Sequence, residues 1–184
     1  MKKVIIGLLV LISSGYSWGQ ERPSAWEIEA DPIAYLLNGY SIHGIYQIKR
    51  IRLDAGVYGI QVPEGFQSNK GYKLRNEGFG LKAQYLFNGI NGFYAGVDAG
   101  YGKLRANLQE TNEQASGTSI STGVNVGYKL FLQKDKQGNP NGFYLNPWMG
   151  LSYNFYPNEV KFANRNYKND HLGFFPTVHV GYRF

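Results

Sequence analysis

A two-residue alternation runs through most of this chain, and it restricts the fold more than any other feature. In eight segments one parity is apolar or aromatic and the other is polar, charged or glycine. Successive side chains of a strand point to opposite faces, so this period marks strands with two chemically different sides. Trp26, Ile28 and Ala30 alternate with Glu27, Glu29 and Asp31, and Tyr40, Ile42 and Tyr46 alternate with Ser41, His43 and Gln47. Ile51, Leu53, Ala55 and Val57 oppose Arg52, Asp54 and Tyr58; Leu81, Ala83, Tyr85 and Phe87 oppose Lys82 and Gln84. Phe93, Ala95, Val97 and Ala99 oppose Gly96, Asp98 and Gly100, and the sixth segment sets Ile120 to Leu130 against Ser121 to Lys129. The last two set Phe143, Leu145, Met149, Leu151 and Tyr153 against Asn146 and Trp148, and Val178, Val180, Tyr182 and Phe184 against His179 and Arg183. Each is near the roughly ten residues that a tilted strand uses to cross a bilayer. An even number of antiparallel strands closes without a free edge. The pattern predicts an all-β chain: a single closed antiparallel up-and-down eight-stranded transmembrane β-barrel.

Residues 1–19 read as a signal peptide, with Lys2 and Lys3 ahead of the apolar run VIIGLLVLIS and small residues up to Gly19, which leaves 20–184 as one barrel domain. The apolar run is about ten residues, half of what a spanning helix needs. Zero cysteines exclude disulfides and thiolate metal sites. The formal net charge is +6, and removing the two signal lysines lowers it by 2 to +4. These charges are scattered, with no recognition helix or zinc pattern, so nucleic acid is not an expected partner. The Asp and Asn residues of 156–173 lack ligand spacing, so neither a metal nor any other cofactor is expected.

The connections alternate in character. Residues 49–50 and 88–92 are tight turns, whereas 61–78, 106–117 and 156–173 read as long polar loops. That asymmetry suits periplasmic and extracellular ends respectively. The first outer connection, around Leu36 to Gly39, is short for this scheme, and the inner turn at 133–142 is long.

Alternation by itself permits two opposite barrels, because a soluble exported lipocalin-like barrel turns its apolar face inward around a ligand. The aromatics Tyr46, Tyr85, Phe87, Phe93, Tyr128, Phe143, Tyr182 and Phe184 gather where apolar faces meet the short turns, as an interfacial girdle does. Gly56, Gly96, Gly100, Gly123, Gly127, Gly150 and Gly181 lie on the polar parity, which suits a narrow, crowded interior. The ending TVHVGYRF resembles the terminal strand of outer-membrane β-barrel proteins, and the chain as a whole resembles the small OmpA/OmpX-type barrels. The resemblance implies an outer-membrane location and a monomeric, porin-like envelope protein. It also implies insertion by the barrel-assembly machinery, with Tyr182 and Phe184 as the membrane anchor.

The inward parity then carries Glu27, Glu29, Asp31, Asp54 and Asp98 beside Arg52, Lys82, Lys129, His179 and Arg183, an expected lumen charge network. Unpaired charges in so narrow a space would cost several kcal/mol each, so mutual compensation is expected. Ser41 and His43 share a face, and Asp31 lies within reach on the neighbouring strand, so a hydrolytic trio is conceivable. Two-residue spacing makes such same-face pairs common. Lys161, Arg165 and Lys168, with Lys70, Lys73 and Arg75, place cations where lipopolysaccharide phosphates would lie, while Phe162 and Tyr167 suit adhesion to an extracellular ligand or protein. The leading expectation is a non-enzymatic barrel with an envelope-structural or surface-interaction role. A barrel-embedded lipid hydrolase, a narrow channel and the soluble lipocalin-like barrel are the alternatives.

Overall fold

The computed structural model describes residues 24–163, 165 and 167–184; the expected signal segment at 1–19 lies outside them. Among the described residues eight strands form one closed ring in chain order: β1 (Ala25–Ala30), β2 (Tyr40–Ile48), β3 (Ile51–Val62), β4 (Tyr72–Leu86), β5 (Gly92–Leu108), β6 (Gln114–Phe131), β7 (Gly142–Asn158) and β8 (Leu172–Arg183). All neighbours are antiparallel. The ring closes by β1 on β8, where Glu27 pairs with Arg183 and Ala30 with Val180. The expected eight-stranded up-and-down barrel is the observed fold.

The faces decide between the two barrels that alternation permits. Trp26, Ile28, Leu53, Leu81, Val97, Val124, Leu151 and Phe174 are exposed on the outside, whereas Glu27, Glu29, Arg52, Asp54 and Lys129 are buried inside. A lipocalin-like barrel has the reverse distribution, and that alternative is thereby overturned. Exterior aromatics pair at the short-turn end: Trp26 with Tyr46 at 4.8 Å, Phe93 with Tyr128 at 4.7 Å, and Phe143 with Tyr182 at 4.9 Å.

Three interior glycines sit opposite inward-pointing rings. Gly56 faces His43, Gly127 faces Tyr94 and Gly181 faces Tyr144 across the ladders, and a Cβ at any of the three would overlap that ring. The tight turns rely on left-handed backbone, at Lys49 (φ 54°) in the first and Gly89 (φ 84°) in the second.

The three outer connections are shorter than expected, because strands occupy much of 61–78, 106–117 and 156–173 and leave loops only at 63–71, 109–113 and 159–171. The 17, 18 and 17 residues of β5, β6 and β7 run well past the exterior apolar band. At about 3.4 Å per residue and a tilt near 40° they rise roughly 45 Å, against about 25 Å for such a band. In the projecting parts the alternation persists but the polarity swaps sides. Tyr72, Leu74, Ala106 and Leu108 point inward and are buried, while Lys73, Arg75, Lys103 and Arg105 point outward. The first outer connection holds a short helix, α1 (Pro32–Leu36), which the alternation does not announce. It starts at Asp31, whose carboxylate accepts from the Ile33 amide at 2.9 Å, with Pro32 just inside the first turn.

Candidate functional site: the barrel interior

The inner half of the lumen is filled by one connected polar network. The Glu27 carboxylate accepts from Lys129 Nζ at 2.7 and 2.8 Å, from Arg183 Nη1 at 2.7 Å and from Arg52 Nε at 3.4 Å. Glu29 accepts from Arg52 and from Asn146 Nδ2 at 3.0 Å, and it pairs with His179 Nδ1 at 2.9 Å. The Tyr144 hydroxyl lies 3.0 Å from Glu27 and 2.8 Å from Glu29, between the two carboxylates. Arg52 also donates to Gln84; Gln84 donates to Asn125 at 2.8 Å, and Asn125 to Asp98 at 2.9 Å. Gln47 accepts from Arg183 at 2.9 Å, and Tyr94 donates to Asn146 at 2.9 Å. Carboxylates and cations alternate in space, so each buried charge has an opposite neighbour and its polar atoms have partners, the condition for a charged interior to be tolerated.

Of the expected lumen residues, this brings Glu27, Glu29, Arg52, Asp98, Lys129, His179 and Arg183 into one chain of contacts, and Asp54 joins through Arg52 at 4.0 Å. Asp31 stands at the margin. It caps α1, accepts from the Thr177 hydroxyl at 2.8 Å and comes no nearer to His179 than 4.0 Å. Gln47, Gln84, Tyr94, Asn125, Tyr144, Asn146 and Thr177 belong to the same packing and were not among the expected site residues. Their inward parity is visible in the sequence, but their partners across the barrel are not.

Halfway up, Ser41, His43 and Asp54 form a chain. Ser41 Oγ lies 3.1 Å from His43 Nε2, and His43 Nδ1 lies 2.8 Å from Asp54 Oδ1. Lys82 Nζ contacts the other Asp54 oxygen at 3.3 Å and lies 4.4 Å from the Trp148 ring centre. The third member is thus Asp54 and not Asp31, because the β2–β3 register sets His43 beside Gly56, two residues from Asp54 on the same face. The order hydroxyl, imidazole, carboxylate is that of a nucleophile, its base and an orienting group. Against catalysis, Ser41 is only 4% exposed, and its backbone lies in the β2–β3 ladder opposite Tyr58.

Above this level Gly80, Gly100, Gly123, Ser121 and Ser152 line a roomier stretch of lumen in which the inward residues are half-buried. Its outer end is stoppered by apolar side chains: Tyr72, Leu74, Ala106, Leu108, Val160 and Phe162 form a buried cluster. Phe162 stacks 5.1 Å from Tyr72, and Tyr167 lies 5.4 Å from Tyr72. Phe162, expected as a surface contact, is therefore turned in against Tyr72 as part of this cluster. Burial and the neighbouring Tyr156 and Asp170 push the Tyr167 hydroxyl up to about 12. The lumen is thus packed with charged and polar groups at its lower end, with this apolar cluster at its outer end.

The three expected cations of the last loop do not form a cluster. Lys161 pairs with Glu159 at 3.2 Å, Arg165 pairs with Glu110, and Lys168 pairs with Asp170 at 3.4 Å. Tyr182 and Phe184 lie on the outer face, 5.1 Å apart, and the Phe184 amide donates to the Trp26 carbonyl at 3.1 Å.

No protein-family profile matches the sequence, and comparison with curated proteins gives no match. Among solved structures the chain is similar to the crystal structure of Neisserial surface protein A (NspA), with a TM-score of 0.52 and 16% identity over 88% of this chain and 96% of that one. At this identity the likeness is one of fold, an eight-stranded barrel.

Proposed function

We propose that this chain is an exported outer-membrane barrel, monomeric and non-enzymatic, that contributes to envelope structure or to contacts at the cell surface. One observation carries this reading: an apolar exterior wraps a lumen that is charge-filled at one end and apolar-stoppered at the other. Such a molecule needs a hydrocarbon surround. The likeness to a protein named for its surface position supports the same reading. On it, the barrel-assembly machinery inserts the chain, outer-membrane lipid and lipopolysaccharide surround it, and the outer loops meet extracellular ligands or proteins. The decisive experiment is refolding into detergent micelles: heat-modifiable gel mobility with β-rich circular dichroism is expected. A water-soluble monomer that takes up apolar ligands internally would overturn the proposal.

A second reading, hydrolysis of a lipid ester by Ser41 with His43 as base and Asp54 as its orienting group, is favoured by the 3.1 and 2.8 Å contacts and opposed by the burial of Ser41. Incubation with acyl-labelled outer-membrane lipid separates the two. Release of acyl chains that disappears in Ser41→Ala would favour the hydrolase; no release, or release that survives the substitution, removes it.

A further inference from the structure

Beyond the exterior apolar band, β4 and β5 turn a basic face outward, flanked by neutral polar residues of β6. Lys73 and Arg75 project from β4, and Lys103 and Arg105 from β5, all four exposed. Arg75 stands directly opposite Arg105 in the ladder, and Lys103 opposite Glu77. Glu77 is shared: it accepts from Arg75 Nε at 2.6 Å and pairs with Arg105 Nη1 at 3.1 Å. Four cations against this one carboxylate leave the patch at +3. Like charges directly opposite on neighbouring strands are destabilising, and one shared carboxylate offsets them only in part. Between β5 and β6 the surface dips into a hollow of about 410 Å³ lined by Lys73, Lys103, Arg105, Asn107, Gln114 and Ser116. Its rim therefore offers three cations and neutral hydrogen-bonding groups.

Position identifies what this hollow receives. Lys103 and Arg105 are the next two outward residues after Tyr101, and Glu77 and Arg75 the next two after Phe79. Tyr101 and Phe79 stack at 5.8 Å on the exterior, at the top of the apolar band. A ligand lying on this face thus meets apolar and aromatic surface below, then guanidinium and ammonium groups about 7 to 14 Å further along the strands. That sequence of environments matches an amphiphile with acyl chains beneath a phosphorylated headgroup, and Arg side chains suit the bidentate geometry of phosphate. We propose that the outward face of β4–β6 is a binding site for the phosphates of an outer-leaflet phosphorylated glycolipid, with Lys73, Lys103 and Arg105 as the principal contacts and Arg75 held beside them by Glu77. The site rests on the membrane reading above. It differs from the loop cations Lys161, Arg165 and Lys168, each of which has a carboxylate to itself, whereas Arg75 and Arg105 share Glu77.

The test uses the full mature chain refolded in neutral detergent. Its heat-modifiability is checked first; binding of lipopolysaccharide is then followed by native mass spectrometry and by titration in micelles. Wild-type protein is expected to retain lipopolysaccharide, to bind its dephosphorylated form at least tenfold more weakly, and to lose little to millimolar inorganic phosphate, which has no acyl chains. Lys103→Gln with Arg105→Gln should weaken binding at least tenfold. Lys161→Gln with Lys168→Gln should change it less than threefold. If the refolded strand-face variant binds as wild type, if the loop variant loses as much, or if dephosphorylated lipid binds equally well, the site is wrong while the barrel reading stands. If inorganic phosphate displaces the lipid, the hollow is a general anion site and the lipid assignment is wrong. A chain that stays soluble without detergent would remove both.

Discussion

Replacing Arg52 by Met tests whether the inner network holds the barrel together or merely occupies it. The guanidinium is fully buried and touches Glu29 and Gln84, with Glu27 at 3.4 Å and Asp54 at 4.0 Å. Five inward carboxylates (Glu27, Glu29, Asp31, Asp54, Asp98) face four inward Lys and Arg side chains (Arg52, Lys82, Lys129, Arg183), so the substitution leaves five against three. Met conserves much of the volume, so the loss is mainly of charge compensation for Glu29. Removing one partner of a buried pair costs about 3–5 kcal/mol. With a urea slope near 2 kcal/mol per molar, the midpoint should fall by about 1.5–2.5 M. The measurement is unfolding from detergent micelles followed by tryptophan fluorescence, with Trp26 outside and Trp148 inside the barrel as reporters. Adding Glu29→Gln to Arg52→Met removes the stranded charge and should recover more than half of the loss, a coupling visible in a double-mutant cycle. A single variant within about 0.5 M of wild type, or a double variant no more stable than the single, would refute this account of the lumen.

Three further outcomes follow from particular contacts. Tyr144→Phe keeps the ring but removes the hydroxyl between Glu27 and Glu29, and should cost about 1–3 kcal/mol in the same unfolding assay. Gly56→Ala should destabilise by about 1–3 kcal/mol because its methyl overlaps the His43 ring, whereas Gly44→Ala, whose methyl meets nothing within 4 Å, should be close to neutral. Equal effects of the two alanines would contradict the interior packing described. Phe162→Ala removes a ring from the outer cluster and should lower the opening free energy of the 159–171 loop by about 2–3 kcal/mol. Trypsin cleavage at Lys161, Arg165 or Lys168 should therefore speed up, with the global unfolding midpoint little changed.

The sequence by itself determines the number of strands, which parity is apolar, where the lower aromatic ring sits and which charges turn inward. All of these follow from one local rule, that neighbours along a strand face opposite ways, and a local rule needs only consecutive residues. That is why Trp26, Ile28, Glu27 and Glu29 are legible on their own. Tertiary structure decided the rest, for two physical reasons. Partners across the barrel depend on register and shear, which are properties of the closed ring; this is how Asp54 replaces Asp31 beside His43, and how Tyr144 comes to lie between two glutamates. The meaning of a parity also depends on what lies outside. On the membrane reading the surround changes from hydrocarbon to water at the level where Lys73, Arg75, Lys103 and Arg105 take the outer face and Tyr72, Leu74, Ala106 and Leu108 the inner one. The chain still alternates there, but with reversed polarity, so segments that read as polar loops are strands. The basic exterior face and the apolar stopper are two sides of that one reversal.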